Sequence, residues 1–252
     1  MRKLLAVFAM VIVLVAVPMS GLAASPAPEL FGSASFTATG AQLTSDTAVT
    51  PGYAGIDFPA FAGMTLSSLT SLGADYQMMT GDCFGGAPRY TISLSSGDSI
   101  FVYFGDAPNY QCGTSPRSQS NLLSPNVDTS QIPGGTFYDT WDHALSLAGS
   151  ETVTDLAIAV DGGWGSGGTQ VVDISSASIN GTTYNFVPPT SMDQCTNGGW
   201  QNYANPTFQS QAACIVYLRI QHMHQGLQQL CNQFGNPWFC SRIENWGFSG
   251  FY

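Results

Sequence analysis

Arg89-Tyr90-Thr91-Ile92-Ser93-Leu94, Ser95-Ser96-Gly97-Asp98, Ser99-Ile100-Phe101-Val102-Tyr103-Phe104: this run decides the fold class. Tyr90, Ile92 and Leu94 fall on one face of an extended chain, because side chains alternate with a period of two in a strand. Ser95 to Asp98 has the composition of a turn, and Ser99 to Phe104 is apolar enough to return as a second strand. The whole reads as an antiparallel hairpin with one face buried.

Working outward, the same character persists from about residue 53 to 187. Val153 to Val160 is a further strand, followed by the glycine-rich loop Asp161 to Gly168 and a partner strand from Thr169 to Ile174. Asn180-Gly181 between Ile179 and Thr182 is the signal for a two-residue hairpin turn, since both central positions of that turn need a positive φ. One segment, residues 138–149, breaks the pattern and reads as a short helix, with Asp139 placed to cap it and Gly149 to end it. Several short strands with turns, and no long interleaved helices, predict a mainly β protein: an antiparallel, jelly-roll-like β-sandwich.

The flanks differ. Arg2 and Lys3 precede an apolar run from Leu4 to Val17, and Gly21-Leu22-Ala23 offers a cleavage site, so residues 1–23 read as a secretory signal peptide. Residues 24–52 read as a flexible leader with a first strand at Ala34 to Ala38, and residues 53–187 as the sandwich. Residues 188–194, opened by two prolines, read as a linker. Beyond it Phe208, Ala212, Ile215 and Leu218 follow helical spacing, with Pro206 marking the start. Leu227, Leu230 and Phe234 extend the pattern past Gly226. Residues 195–252 thus read as a small helical module held by disulfides.

Composition narrows the function. Of 252 residues only 9% are charged, and the net charge is −10. Six basic residues cannot build the positive face that a nucleic-acid backbone needs. After removal of the signal, four arginines stand against 16 acids. Such a surface suits a secreted protein at the cell surface or in the medium, with no membrane insertion, and disfavours anionic partners. All six cysteines lie in the mature chain. Pairing within each region is simplest and predicts Cys83 with Cys112, Cys195 with Cys214 and Cys231 with Cys240.

Candidate sites follow from residue type. Trp164 within the glycine-rich loop can stack on the apolar face of a sugar, and Tyr110 sits in the long loop 105–135. Asp82 and Arg89 flank the Cys83 loop; they can pair with each other, or Arg89 can anchor an acidic or hydroxylated ligand. Asp139, Asp142 and His143 could do acid–base chemistry from one helix, which is the rival reading of a secreted hydrolase. No nucleophile or zinc motif accompanies them. Asp173 is a candidate for structural Ca²⁺, and no other cofactor is implied.

Two stretches resemble known exported bacterial sequences. Asp75-Tyr76, Gly81-Asp82-Cys83-Phe84-Gly85-Gly86-Ala87-Pro88-Arg89-Tyr90, Phe101 to Gly105, Cys112, Pro133 to Thr140 and Ala159 to Trp164 resemble a secreted bacterial β-sandwich family without an assigned activity. Val171 to Ile174 and Ile179-Asn180-Gly181 are similar to the closing strands of jelly-roll carbohydrate-binding modules. Cys195-Thr196-Asn197-Gly198-Gly199-Trp200 with Phe208, Gln211 and Cys214 resembles a short Cys-x-x-Gly-Gly-Trp module found at the C-terminus of exported proteins. This chain departs from it by running 38 residues beyond Cys214 with two more cysteines. The resemblance implies a secreted, non-catalytic protein that binds glycan or another surface component through sandwich loops. A structural envelope or adhesion subunit is a third reading.

Overall fold

The computed structural model describes residues 26–48, 50–84, 86–106, 110–123, 127–162 and 168–234. The expected signal peptide, Trp164 and Cys240 lie outside the described residues. In chain order the strands are β1 (Glu29–Gly32), β2 (Ala34–Phe36), β3 (Ala41–Ser45), β4 (Ala54–Asp57), β5 (Leu72–Thr80), β6 (Arg89–Leu94), β7 (Ser99–Tyr103), β8 (Arg117–Gln119), β9 (Val153–Val160), β10 (Gln170–Ile179) and β11 (Thr182–Asn185). The α-helices are α1 (Trp141–Ala148) and α2 (Gln211–Phe234). Among the described residues no helix is long and apolar enough to cross a membrane.

The strands form two antiparallel sheets. One has the order β1-β4-β9-β6-β7, and the other the order β2-β3-β10-β5-β8 with β11 added beside β10. The hairpin read from the sequence is β6–β7, with Ile92 opposite Ile100 and Tyr90 opposite Val102. These residues, with Ile56, Leu156, Ile158 and Val160, face Leu43, Leu72, Met78, Val172 and Ile174 of the second sheet in one continuous buried cluster. Such alternation, inward apolar and outward polar, is what holds two sheets face to face. Tyr90 spans the gap: its hydroxyl donates to the Gly73 carbonyl at 2.8 Å, so the one polar atom it buries is satisfied.

Several boundaries differ from expectation, each for a local reason. Residues 29–45, read mostly as leader, supply β1, β2 and β3, and Ala41 and Leu43 are fully buried. The strands expected at 169–174 and 177–179 are one strand, β10, which pairs with β3 through its first half and β11 through its second. A register shift between Ile174 and Ser176 lets it change partner without breaking. Asn180 (φ 51°) and Gly181 (φ 79°) make the predicted tight turn.

Both helices start later than predicted. The Thr140 hydroxyl accepts from the His143 N–H, so Thr140, not Asp139, caps α1. Asp139 is still extended, because its backbone pairs with Val127. In α2 the Ser210 hydroxyl accepts from the Ala213 N–H and sets the start at Gln211 rather than near Pro206. The helix then runs through Gly226 unbroken.

Disulfides join Cys83 to Cys112 and Cys195 to Cys214, as the regional pairing predicted. Cys231 lies in the last turns of α2, and the third pairing reaches outside the described residues. The C-terminal module is stitched to the sandwich. The Ala204 N–H donates to the Asn185 carbonyl at 2.9 Å, and Ala204 joins the main core.

Candidate functional site

Two glycines and one carboxylate shape the end of the sandwich where β6 begins and β7 ends. Asp82 Oδ1 accepts backbone N–H groups from Cys83 at 2.7 Å and from Cys112 and Gly113 at 2.8 Å each. Burial raises its pKa, but those donors and the nearby Arg117 outweigh it and hold the carboxyl below its usual range. Beside it, Gln170 Nε2 donates to the carbonyl of Asp82 at 2.7 Å and lies 3.3 Å from that of Phe84. The turn thus fixed passes close over Tyr103: a Cβ on Gly86 would sit 3.2 Å from the ring, at a φ of +79° that suits only glycine.

Gly105 plays the matching part on the other wall. A Cβ there would lie 2.7 Å from the Tyr110 carbonyl, so only glycine lets the loop close. The Tyr110 N–H donates to the Asp106 carbonyl at 2.8 Å, and Arg117 forms an ion pair with Asp106 and donates to the Cys112 carbonyl. Tyr110 is held in the left-handed region at φ 50°. A third segment, residues 127–139, runs along β7. Its Asp128 pairs with Phe101 through the backbone and takes the Tyr103 hydroxyl at 2.6 Å. Burial, reinforced by that hydrogen bond, pushes the Tyr103 phenol far above its usual pKa, so it stays a donor.

These three segments converge in an aromatic cleft of about 370 Å³, lined by Phe84, Pro88, Tyr103, Tyr110, Phe137 and Tyr138, with Cys83 among its walls. Tyr110 stacks on Tyr138 with centroids 5.9 Å apart and planes at 8°, while Tyr103 meets Tyr110 nearly edge-on at 5.1 Å. Phe137 touches both Tyr103 and Tyr138. Phe137 is 46% exposed and Tyr138 is 53% exposed, so two rings of the cluster present surface to solvent. A volume of this size falls within the range of small-molecule sites.

The structure distributes the expected site residues as follows. Tyr110 lines the cleft. Arg89 does not pair with Asp82; its guanidinium forks onto Asp161, with N–O distances of 2.6 and 2.7 Å, and lies 4.8 Å from the centre of the Phe101 ring. Asp82 ties loops together and does not line the cleft. Trp164 lies outside the described residues. Earlier in the chain, Asp161 pairs with Arg89, and Gly162 lies against Gln170, where a Cβ would fall 1.5 Å from Oε1.

Asp139 and His143 do meet. His143 Nδ1 lies 2.8 Å from Asp139 Oδ2, and the Asp139 carboxylate also accepts from the Thr129 hydroxyl and the Thr140 N–H. Burial opposes ionisation of Asp139, but those hydrogen bonds and the His143 ring together lower its pKa. The carboxylate therefore stabilises the fold above its unfolded pKa, and that contribution fades as pH falls through the folded value. Asp142 is exposed on the first turn. Among the described residues no hydroxyl or thiol is hydrogen-bonded to the His143 ring, whose Nδ1 is held by Asp139.

For a metal, the described residues bring together one group of potential ligands, Asp82, Cys83 and Cys112. Both sulfurs are spent in a disulfide, and a disulfide is not a thiolate ligand. The Asp173 oxygens accept from the Thr39 hydroxyl at 2.6 Å and from Gln42 Nε2 at 3.0 Å.

Phe84, Tyr103, Phe137 and Tyr138 were not singled out from the sequence. Two signals carried all but Phe84. Val102-Tyr103-Phe104 breaks the alternation of β7, and Phe137-Tyr138 follows a Gly-Gly pair with no apolar period to join. Comparison with family models, curated proteins and solved structures finds no match for this chain.

Proposed function

We propose that this chain is a secreted, non-catalytic binding protein that holds a neutral glycan of a cell surface or extracellular polymer in the aromatic cleft. The observation that carries the reading is the pair of half-exposed rings, Phe137 and Tyr138, on a rigid cluster of tyrosines. Sugar rings offer flat C–H faces to aromatic side chains, and the hydroxyl of an exposed tyrosine can hydrogen-bond at the rim. The net charge of −10 argues against polyanionic glycans. Disulfide bonding accords with an oxidising compartment outside the cytoplasm. Trp164, which lies outside the described residues, is proposed as a further contact on its residue type alone.

The test is retention on neutral polysaccharides or a glycan array. Phe137→Ala and Tyr138→Ala are each expected to weaken binding by roughly tenfold, the worth of one stacked ring. Both side chains are exposed, so folding should survive, and near-ultraviolet circular dichroism checks that. Absence of retention on every neutral glycan would sink the reading. Saturable binding to cells that survives both substitutions would move recognition away from the cleft, to a structural or adhesive role.

A further inference from the structure

The two half-exposed rings of the cleft, Phe137 and Tyr138, are neighbours in the chain, and one buried side chain holds both sides of the pair. That side chain is Thr129, which is fully buried. Ahead of the rings, its backbone N–H donates to the Thr136 carbonyl at 3.0 Å, and its hydroxyl accepts the Thr136 N–H at 3.0 Å. Behind the rings, the same hydroxyl donates its proton to Asp139 Oδ2. Asp139 is also buried and pairs through its backbone with Val127. Its carboxylate takes the Thr140 N–H at 2.8 Å and stands 2.8 Å from His143 Nδ1, on the first turn of α1. Gly135 completes the fit: a Cβ there would lie 2.0 Å from the Thr129 carbonyl, so only glycine lets the two limbs approach this closely. Asp128, the residue before Thr129, anchors the whole segment to Phe101 and to the Tyr103 hydroxyl.

We infer that Thr129 is the positioning residue of the cleft: its hydroxyl, backed by Asp139 and His143, sets the Phe137 and Tyr138 rings before any ligand arrives. The nature of that ligand rests on the glycan reading above; the placement of the rings does not. A threonine hydroxyl has one proton to donate and lone pairs to accept with. Here the proton is used behind the rings and a lone pair ahead of them, so a single group spans the pair. Held at both ends, Tyr138 stays on Tyr110 and Phe137 stays against Tyr103. A ligand that stacks on rings already in place is spared the cost of ordering them, whereas mobile rings would subtract that cost from every binding event. Asp139 and His143, which offered themselves as an acid–base pair, are not among the residues lining the cleft. They act on the ligand through the ring pair, without touching it.

Two measurements on the mature, oxidised chain test this. Proton NMR of the free protein reads the ring placement through the nuclear Overhauser contact between Tyr110 and Tyr138. Depletion from solution by amorphous cellulose, chitin and starch reads the affinity. Thr129→Val keeps the side-chain shape but loses the hydroxyl; it should weaken the ring contact and lower retention by roughly tenfold. Thr129→Ser restores the hydroxyl and should restore both. Ser45→Ala, in β3 of the other sheet, also removes a buried hydroxyl, the one that donates to the Gly52 carbonyl, and should lower stability while leaving ring contact and retention unchanged. A folded Thr129→Val that keeps the ring contact overturns the inference. An equal loss in Ser45→Ala overturns it too, because general stability would then suffice. If Thr129→Val does not fold, His143→Ala removes only the half-exposed outer clamp and should weaken the ring contact in the same direction; an unchanged contact there overturns the inference. A wild-type chain retained by none of the three polymers sinks the glycan reading alone, and the ring contact still decides the role of Thr129.

Discussion

The sandwich and the C-terminal module each contain one of the two disulfides described, yet the bonds do different work. Cys83–Cys112 lies within a cluster that draws buried side chains from both sheets and from the loops between them. Cys195–Cys214 shares its cluster with one other buried residue, Leu218. In the first region the bond is added to a core that already excludes water. In the second, among the described residues, the bond makes up most of the buried cluster. A stretch of this size buries too little apolar surface to hold itself together, and a covalent staple replaces the missing area.

The largest expected effect tests the second half of that comparison. Cys195→Ser with Cys214→Ser should unfold the module while leaving the sandwich intact. Hydrogen exchange should show protection lost across residues 211–234 and retained in β6, β9 and β10. Protection of α2 that survives the double substitution would mean the small cluster suffices without its bond.

Cys83→Ser with Cys112→Ser tests the first half. The bond closes a separation of 29 residues, which the loop-entropy model values at roughly 3–4 kcal/mol. The sandwich should remain folded with a lower melting temperature. The local consequence is sharper: the Asp82 carboxylate grips the Cys112 and Gly113 N–H groups, so freeing Cys112 loosens the loop that places Tyr110. Glycan retention should therefore fall further than stability does. A variant that unfolds outright at room temperature would put both disulfides in the same class.

Tyr90→Phe probes how redundant the sandwich is. The change removes one hydroxyl and leaves the Gly73 carbonyl without its donor, which costs about 1–2 kcal/mol. Denaturant unfolding should show a lower midpoint with an unchanged slope. A loss well above that range would make this single bond, rather than the packed faces, the tie between the sheets.

The same contrast explains what could be read from the sequence. The β6–β7 hairpin was legible because a half-buried strand must alternate, and Tyr90, Ile92 and Leu94 do. Of the strands before β4, β2 was legible, as a first strand at Ala34 to Ala38; β1 and β3 were not, and Ala41-Gln42-Leu43-Thr44-Ser45, with few large side chains, is placed by a partner far along the chain, β10. Tyr110 stood out as a lone aromatic in a loop. Tyr138 was absorbed into an expected helix start at residues 138–149, with Phe137 just ahead of it, since the pairing of Asp139 with Val127 has no local signature. Arg89 was matched to its neighbour in sequence, Asp82, although strand pairing sets it against β9 and so within reach of Asp161, 72 residues away.

A large core can also carry a cost that the small module could not, and Asp57 is such a cost. It sits on the outer face of β4, half-buried, with Asp155 and Glu29 nearby. No donor among the described residues reaches its buried Oδ1. Burial first, then a shared hydrogen bond with Asp155 and the charge of that group, push the Asp57 carboxyl up to about 6. A carboxyl with a raised folded pKa binds its proton more tightly in the folded state than in the unfolded one. Stability therefore falls as pH rises from about 4 to about 6, and the penalty is complete above that. Asp57→Asn cannot ionise, and its amide can donate to Asp155. It should stabilise the protein near neutral pH by about 1 kcal/mol, allowing for solvent screening at a half-buried site. The gain should shrink toward zero near pH 4, where the wild-type carboxyl is protonated in the folded state. Equal stabilisation at both pH values would trace the effect to the amide's hydrogen bonds instead of to relief of charge.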